Sequence, residues 1–189
     1  MSTPSSAVSS AIDRTLSIDH VDLFATLVWQ SRLTSLAPLF PGWIEAAKAA
    51  RADQAVLNRP VFTELHGALR ACCQHALTQM GQQGRGFSLE SWVNLHERGG
   101  FNRVHLHEGR LLSGVFYLQA PEGSGRLTFR DPRPGVLHSP FKGGGSNAHS
   151  DIQLMPEAGL AVLFPHWLDH YVEPHDSDTP RIAISFNAL

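Results

Sequence analysis

Two histidines separated by a single residue are the strongest chemical signal in this sequence. His105 and His107 flank Leu106, and a β-strand would point both imidazoles to the same side of a sheet. Two imidazoles facing a barrel interior are costly to bury unless a divalent transition metal organises them. The pattern therefore indicates part of a metal site, although two surface histidines on the outer face would show the same spacing.

A metal site of this kind needs a third ligand, and His170 is the best candidate downstream. It follows the apolar run LAVLF in a stretch that reads as a strand. Early and late strands can lie side by side in a jelly roll, so His170 can face His105 and His107. His166 is predicted instead to cap a turn, and His175 is predicted to lie in solvent.

An arginine opens the last apolar strand of the chain. Arg181 begins the segment RIAISFN, whose inward face should otherwise be apolar. A guanidinium in that position needs an anion, and its fork suits a carboxylate. The sequence leaves two interpretations open: Arg181 binds the carboxylate of a ligand, or it is an edge arginine paired with an aspartate or glutamate of the chain.

The elements that must position these residues are short strands. After Gly86 the pattern alternates, and Gly, Pro and charged residues separate the apolar runs. The predicted strands cover residues 87–95, 102–107, 111–118, 126–129, 151–154, 160–164, 169–172 and 181–186. Short strands with regular turn signals predict a sandwich or barrel. The long segment 130–150 is expected to be functional or mobile.

The first 85 residues have a different pattern. Residues 1–17 are predicted to be a loose tail, and 23–29 a peripheral strand. Helices are predicted at 34–40, at 42–51 and after Pro60, where apolar residues recur at spacings of three and four. We expect a mainly β, α+β protein: a helical support (18–85) behind a jelly-roll core (86–189), together forming one compact domain.

The composition of this chain of 189 residues argues against two classes of partner, nucleic acids and membranes. The formal net charge of −2 gives no basic face for nucleic acid. No apolar run approaches the roughly 18 residues of a membrane span, and no secretory signal is visible. The two cysteines are adjacent and form no disulfide framework. These features predict a cytoplasmic protein that binds neither nucleic acid nor membrane.

The order of the motifs resembles a known family. H-x-H is followed by SGVFYL, then by LFPxxxxHxVxP, and finally by RIAISFN. This order resembles the non-haem iron(II), 2-oxoglutarate-dependent oxygenases, and more narrowly a bacterial and phage group of 2OG-Fe(II) oxygenases. The resemblance covers about residues 87–187. It implies a double-stranded β-helix, which is the jelly roll already expected.

The resemblance also assigns roles to residues. It implies that His105 and His170 are the first and last ligands of Fe(II), and that Arg181 binds the distal carboxylate of 2-oxoglutarate. Tyr117 matches a position whose hydroxyl contacts the same carboxylate in prolyl-hydroxylase-like members. The implied reaction uses O2 and hydroxylates an unactivated C–H bond of a small molecule or peptide. It releases succinate and CO2.

The chain departs from the wider superfamily at one ligand position. Where most members have aspartate or glutamate, this chain has His107. Three interpretations follow: His107 is a ligand, His107 lies behind the ligands while water completes the site, or Asp151 replaces it. We favour the first, so the predicted metal ligands are His105, His107 and His170, with Arg181 and Tyr117 binding the cosubstrate.

Two other functions fit part of the pattern. One is a cupin-type dioxygenase with a three-histidine iron site and no keto acid, which would leave Arg181 unexplained. The other is a non-catalytic jelly roll that binds a metal or a small ligand. The substrate itself has no readable code, although the 130–150 loop and the N-terminal helices are expected to shape its pocket. The oligomeric state is not indicated.

Overall fold

The computed structural model describes residues 23–138 and 149–189. The predicted tail 1–17 lies outside these ranges, as does part of the 130–150 loop. Within them the chain forms nine strands and three α-helices. The strands are β1 (Trp29–Arg32), β2 (Leu89–His96), β3 (Asn102–His105), β4 (Leu112–Gln119), β5 (Leu127–Arg130), β6 (Asp151–Leu154), β7 (Leu160–Pro165), β8 (His170–Val172) and β9 (Arg181–Ala188). The helices are α1 (Phe40–Ala49), α2 (Thr63–Gln79) and α3 (Pro134–Leu137).

The strands form two antiparallel sheets, as expected of a jelly roll. One sheet has the order β1-β7-β4-β9-β2, and the other has the order β3-β8-β5-β6. Every strand predicted after residue 86 is present, with small shifts at the ends. The predicted peripheral strand is displaced from 23–29 to Trp29–Arg32, where it pairs with β7 at the sheet edge. Residues 23–28 precede it without regular structure.

The helices cover the outer face of the five-stranded sheet. Leu65, Leu69, Cys73 and Ala76 form the apolar stripe of α2, and all four are fully buried in one core with residues of β4, β7 and β9. The predicted helix at 34–40 is instead a 3₁₀ helix, Thr34–Leu39, leading into α1. The helices therefore stabilise the sheet from the side opposite to its concave interior.

Strand alternation divides β9 between two environments. Ile182, Ile184 and Phe186 belong to the core beneath the helices, whereas Ala183 belongs to a second core between the sheets. Since successive side chains of a strand point to opposite faces, Arg181 shares the inner face with Ala183. The arginine that the sequence placed on an inward face is thus inside the jelly roll. No helix of the described residues is long and apolar enough to cross a membrane.

Gly114 provides a test of the close packing of the five-stranded sheet. A Cβ added there would lie 2.4 Å from the Phe186 ring and 2.9 Å from the Val162 carbonyl oxygen. We expect Gly114→Ala to destabilise the fold by about 1–3 kcal/mol, because the backbone neighbour cannot move aside freely. Urea unfolding of Gly67→Ala is the control: this exposed α2 glycine has open space around it, so the change should stabilise the protein. Equal stabilities of the two variants would contradict the prediction.

Candidate metal centre

Three histidines meet at the mouth of the jelly roll. His105 is the last residue of β3 and pairs directly with His170, the first residue of β8. His107 lies two residues beyond the end of β3, where its backbone N–H donates to the carbonyl of His166 at 2.9 Å. One ring nitrogen from each of the three histidines lies within 4.8 Å of the others. The predicted ligands therefore come together, although a loop contact rather than strand pleating places His107.

Backbone carbonyls orient two of these rings. Nδ1 of His105 lies 2.7 Å from the Arg103 carbonyl oxygen, and Nδ1 of His170 lies 2.9 Å from that of Leu168. A carbonyl oxygen only accepts hydrogen bonds, so each Nδ1 carries the proton and each Nε2 keeps its lone pair. This arrangement, with the outer nitrogen held by a carbonyl, is typical of histidines that bind metals.

The protonation of the rings suits metal binding as well. Burial, followed by the effect of neighbouring histidines, lowers the pKa of His107 to about 4. Burial also lowers the pKa of His170 to about 4, against the opposing effect of its hydrogen bond to Leu168. Both rings are therefore neutral at pH 7, which is the form that donates a lone pair to a metal.

Arg181 is a buried cation that forms no salt bridge with the carboxylates of residues 23–138 and 149–189. The side chain is 1% exposed, and its Nε and Nη1 have no hydrogen-bond partner among the described residues. Its guanidinium carbon lies 4.9 Å from the centre of the Tyr117 ring. The buried Tyr117 hydroxyl lies beside the same guanidinium, which opposes the rise in the pKa of Tyr117 that burial causes. An uncompensated buried charge is strongly unfavourable, so these donors fit an anionic ligand.

One cavity joins the histidines to the arginine. It has a volume of about 50 Å³ and is lined by all three histidines and by Arg181. Its other walls are formed by Trp92, Asn94, Asn102, Gly114, Val115, Leu127, Phe164, Val172 and Ser185. Asn94 donates to the Ser185 hydroxyl at 2.6 Å on this wall. The arrangement can hold a metal at one end and the carboxylate of a short diacid at the other.

One sequence expectation is wrong, and one alternative for the third ligand lies away from the histidines. His175, predicted to lie in solvent, is 1% exposed, because its backbone exchanges hydrogen bonds with Gly99 and Gly100. Asp151, the alternative third ligand, is exposed on β6 opposite Arg130 and is outside the histidine group. Asn102 was not among the predicted site residues, and its only sequence signal is its position three residues before His105.

Acid should destabilise the metal-free protein through its buried histidines. Burial, and then the charge of Arg181, lowers the pKa of His96 to about 4. Between pH 6.5 and 4 His96 is protonated in the unfolded chain but neutral in the folded protein. The free energy of unfolding therefore decreases as the pH falls. For His96 alone the loss is about 3 kcal/mol over this range. Urea unfolding at several pH values should show it, and His96→Gln should reduce the dependence on pH. Equal slopes for the two proteins would contradict this.

A known protein family matches the part of the chain that contains the site. Residues 90–187, slightly more than half of the chain, match the family described as "Putative 2OG-Fe(II) oxygenase". No curated protein matches the sequence.

Solved structures of low sequence identity share the fold. A prolyl-4-hydroxylase from Pseudomonas putida has a TM-score of 0.61 at 19% identity, covering 86% of each chain. The α-ketoglutarate-dependent epimerase SnoN from nogalamycin biosynthesis has a TM-score of 0.63 at 16% identity, covering 87% of this chain and 76% of its own. HygX from Streptomyces hygroscopicus, solved with nickel and 2-oxoglutarate, has a TM-score of 0.57 at 12% identity, covering 86% and 81%. These similarities confirm the jelly-roll fold.

Proposed function

Because this chain belongs to the 2OG-Fe(II) oxygenase family, we propose that it hydroxylates an unactivated C–H bond of a small molecule or peptide. The enzyme uses Fe(II), 2-oxoglutarate and O2. Bound together, the metal and the keto acid supply oxidative decarboxylation to succinate and CO2, coupled to oxygen insertion into the C–H bond. The residues of the chain bind and orient these groups and exclude water.

Fe(II) would be held by His105, His107 and His170. The proposal is supported by the 4.8 Å grouping of their nitrogens and by the carbonyls that turn two Nε2 lone pairs away from the backbone. Three neutral imidazoles leave the full charge of the metal uncompensated, whereas an aspartate ligand would remove one unit. We therefore expect the dianionic keto acid to contribute more to charge balance here than beside a carboxylate ligand.

The observation that carries the proposal is the location of Arg181. It is a buried guanidinium with unpartnered donors among the described residues, and it lines the same cavity as the three histidines. A five-carbon diacid would place its keto-acid end at the histidines and its distal carboxylate at Arg181, within this one cavity. Arg181 and the Tyr117 hydroxyl would then bind its distal carboxylate.

A second, larger cavity could admit the substrate. It has a volume of about 440 Å³, within the range of small-molecule sites. Its apolar walls include Val28, Phe129, Ile152 and Leu168. Phe129 is one of its walls and has its ring centre 6.3 Å from that of His170, while none of the three histidines is in the lining itself. We propose that a substrate with an apolar body binds here, against residues 23–30 and β5–β6. The helices α1 and α2 contribute no residue to the lining described.

A three-histidine dioxygenase that needs no keto acid is the second candidate. The neutral donor set, with no carboxylate, favours it. Such an enzyme would use the buried arginine of the metal cavity only to bind an anionic group of its own substrate. The two functions therefore differ in one testable respect, which is whether a keto acid binds at the iron.

Anaerobic spectroscopy tests the proposed function. Protein loaded with Fe(II) should develop a visible metal-to-ligand charge-transfer band when 2-oxoglutarate is added. Glutarate, which has both carboxylates but no keto group, is the control and should give no band. On admission of O2, succinate should form. Iron binding without the band, together with O2 consumption that does not depend on 2-oxoglutarate, would favour the second candidate instead.

A further inference from the structure

We propose that Asn102 is a further 2-oxoglutarate-binding residue and that His96 is the residue that positions it; this assignment rests on the proposed function. Neither residue belongs to the predicted binding set of Arg181 and Tyr117. The two side chains are hydrogen-bonded to each other, Asn102 lines the cavity, and His96 is paired with Arg181.

The hydrogen bond determines which way the Asn102 amide points. Nε2 of His96 lies 3.0 Å from Oδ1 of Asn102. An amide oxygen only accepts, so Nε2 of His96 carries the proton and donates it. The amide nitrogen is on the other branch of the same planar group, so holding Oδ1 against His96 turns Nδ2 away from it. Within residues 23–138 and 149–189, the bond to His96 is the only hydrogen bond of the half-buried Asn102 side chain, so the Nδ2 protons remain available to a ligand.

Asn102 is at the cavity end that holds the arginine. It begins β3, opposite Val172, whereas the histidine pair His105–His170 is further along the same two strands. Asn102, Val172 and Arg181 all line the cavity that contains the metal ligands. The unpartnered Nδ2 donor is therefore available to the distal carboxylate of a diacid bound by Arg181.

His96 links this donor to the arginine. It ends β2 and is the direct cross-strand partner of Arg181 on β9, with its side chain 8% exposed. A neutral imidazole in this place can donate to Asn102 without adding a second positive charge beside the guanidinium. The two strands thus present a charged donor and a neutral donor side by side, and His96 holds the neutral one in one orientation.

A second donor would improve recognition of the cosubstrate. A carboxylate has two oxygens and about four lone pairs, more than one guanidinium edge can satisfy. A buried carboxylate that lacks one of its hydrogen bonds binds less tightly, because a hydrogen bond to a charged group is worth about 1.5–3 kcal/mol. Removing Asn102 should therefore weaken 2-oxoglutarate binding about 10- to 100-fold.

The test measures binding rather than turnover. Calorimetry of 2-oxoglutarate with the zinc-loaded protein should give a Kd at least about 10-fold weaker for Asn102→Ala than for wild type. Asn102→Asp, which has the same shape but adds a negative charge beside the carboxylate, should bind more weakly still. Zinc affinity should be unchanged in both. Asn58→Asp is the matched control: it adds the same charge at an exposed position of the helical region and should bind like wild type.

The role of His96 is tested by a rescue experiment. His96→Leu removes the donor and should weaken 2-oxoglutarate binding, whereas His96→Gln keeps an N–H near the position of Nε2 and should restore it. In turnover with 2-oxoglutarate varied, the leucine variant should raise KM for 2-oxoglutarate more than it lowers kcat. If both variants lose binding equally, the positioning role is overturned.

The outcomes separate this inference from the proposed function. If Asn102→Asp binds 2-oxoglutarate as tightly as wild type, the assignment of Asn102 is overturned while the oxygenase proposal stands. If neither wild type nor Asn58→Asp binds 2-oxoglutarate in the presence of metal, the proposed function fails and the assignment fails with it. Binding that is weakened in Asn102→Ala and Asn102→Asp alone, with zinc affinity intact, supports both.

Discussion

Arg181→Met is expected to abolish 2-oxoglutarate binding at concentrations that saturate the wild type, and to stabilise the ligand-free protein at the same time. Arg181 is 1% exposed, and two donors of its guanidinium have no partner among the residues described. Two charge-assisted hydrogen bonds are worth about 3–6 kcal/mol together, so the Kd should rise by at least about 100-fold. Metal affinity should not change, because Arg181 is not a ligand.

The gain in stability has a separate cause. An unpaired buried charge is costly, and a hydrophobic residue of similar length removes that cost. Some cation–π interaction with Tyr117 is lost, worth about 0.5–2 kcal/mol. We expect a net gain of about 1–4 kcal/mol in urea unfolding of the metal-free protein. Saturating 2-oxoglutarate and metal should reverse the order, because only wild type is stabilised by the ligand.

Arg181→Lys tests whether the positive charge is sufficient without the two parallel donors of the guanidinium. Lysine keeps the positive charge but cannot form two parallel hydrogen bonds, so binding should be intermediate between wild type and the methionine variant. Calorimetry of all three proteins, zinc-loaded, is the measurement. An Arg181→Met protein that binds 2-oxoglutarate like wild type would remove the main observation behind the proposed function.

Loss of any of the three histidines is expected to have the second large effect, on metal binding. Alanine at His105 or at His170 removes a ring whose Nε2 is held toward the centre by a backbone hydrogen bond. Each variant should bind Fe(II) at least about 100-fold more weakly. Mutating a residue that only hydrogen-bonds to a metal ligand already weakens metal binding by up to about 100-fold. Succinate formation should fall with it. His66→Ala on α2, outside the site, is the control and should bind Fe(II) like wild type.

His107 decides between the interpretations of the third ligand. If it is a ligand, His107→Ala should weaken Fe(II) binding as much as the other two substitutions, and His107→Asp should restore much of it. If His107 only lies behind the ligands, alanine there should leave the metal affinity within a few-fold of wild type. Asp151→Ala is expected to have no effect on metal affinity, since its side chain is exposed and outside the group. Strong loss in that variant would contradict our assignment.

Much of the fold could be predicted from local patterns. Strands β2 to β9 appear where apolar residues alternate or form short runs between turn residues, and α2 appears where they recur at three and four. These patterns are readable because each residue's burial is repeated within a few positions of the chain. His105 could be predicted as a ligand for a similar reason, because a second histidine, His107, follows two residues later and a strand would point both to the same side.

Other features depended on residues distant in sequence. His107 is placed by a hydrogen bond to His166, and the burial of His175 comes from backbone contacts with Gly99 and Gly100. The first strand lies at Trp29–Arg32 because that is where it pairs with β7, more than 120 residues later. Sequence periodicity has no information on such contacts, because it reports the period of one element and not its partner.

Arg181 and Asn102 illustrate the difference within a single site. An arginine at the start of an apolar strand is unusual enough to be noticed from residue type alone. An asparagine at the start of a short polar strand is ordinary, and nothing local marks it. The proposed binding role of Asn102 depends on His96 and Arg181, which the β2–β9 pairing brings to the same end of the cavity. Residue chemistry is local and can be read from the chain, whereas the direction in which a donor points is set by partners that only folding brings together.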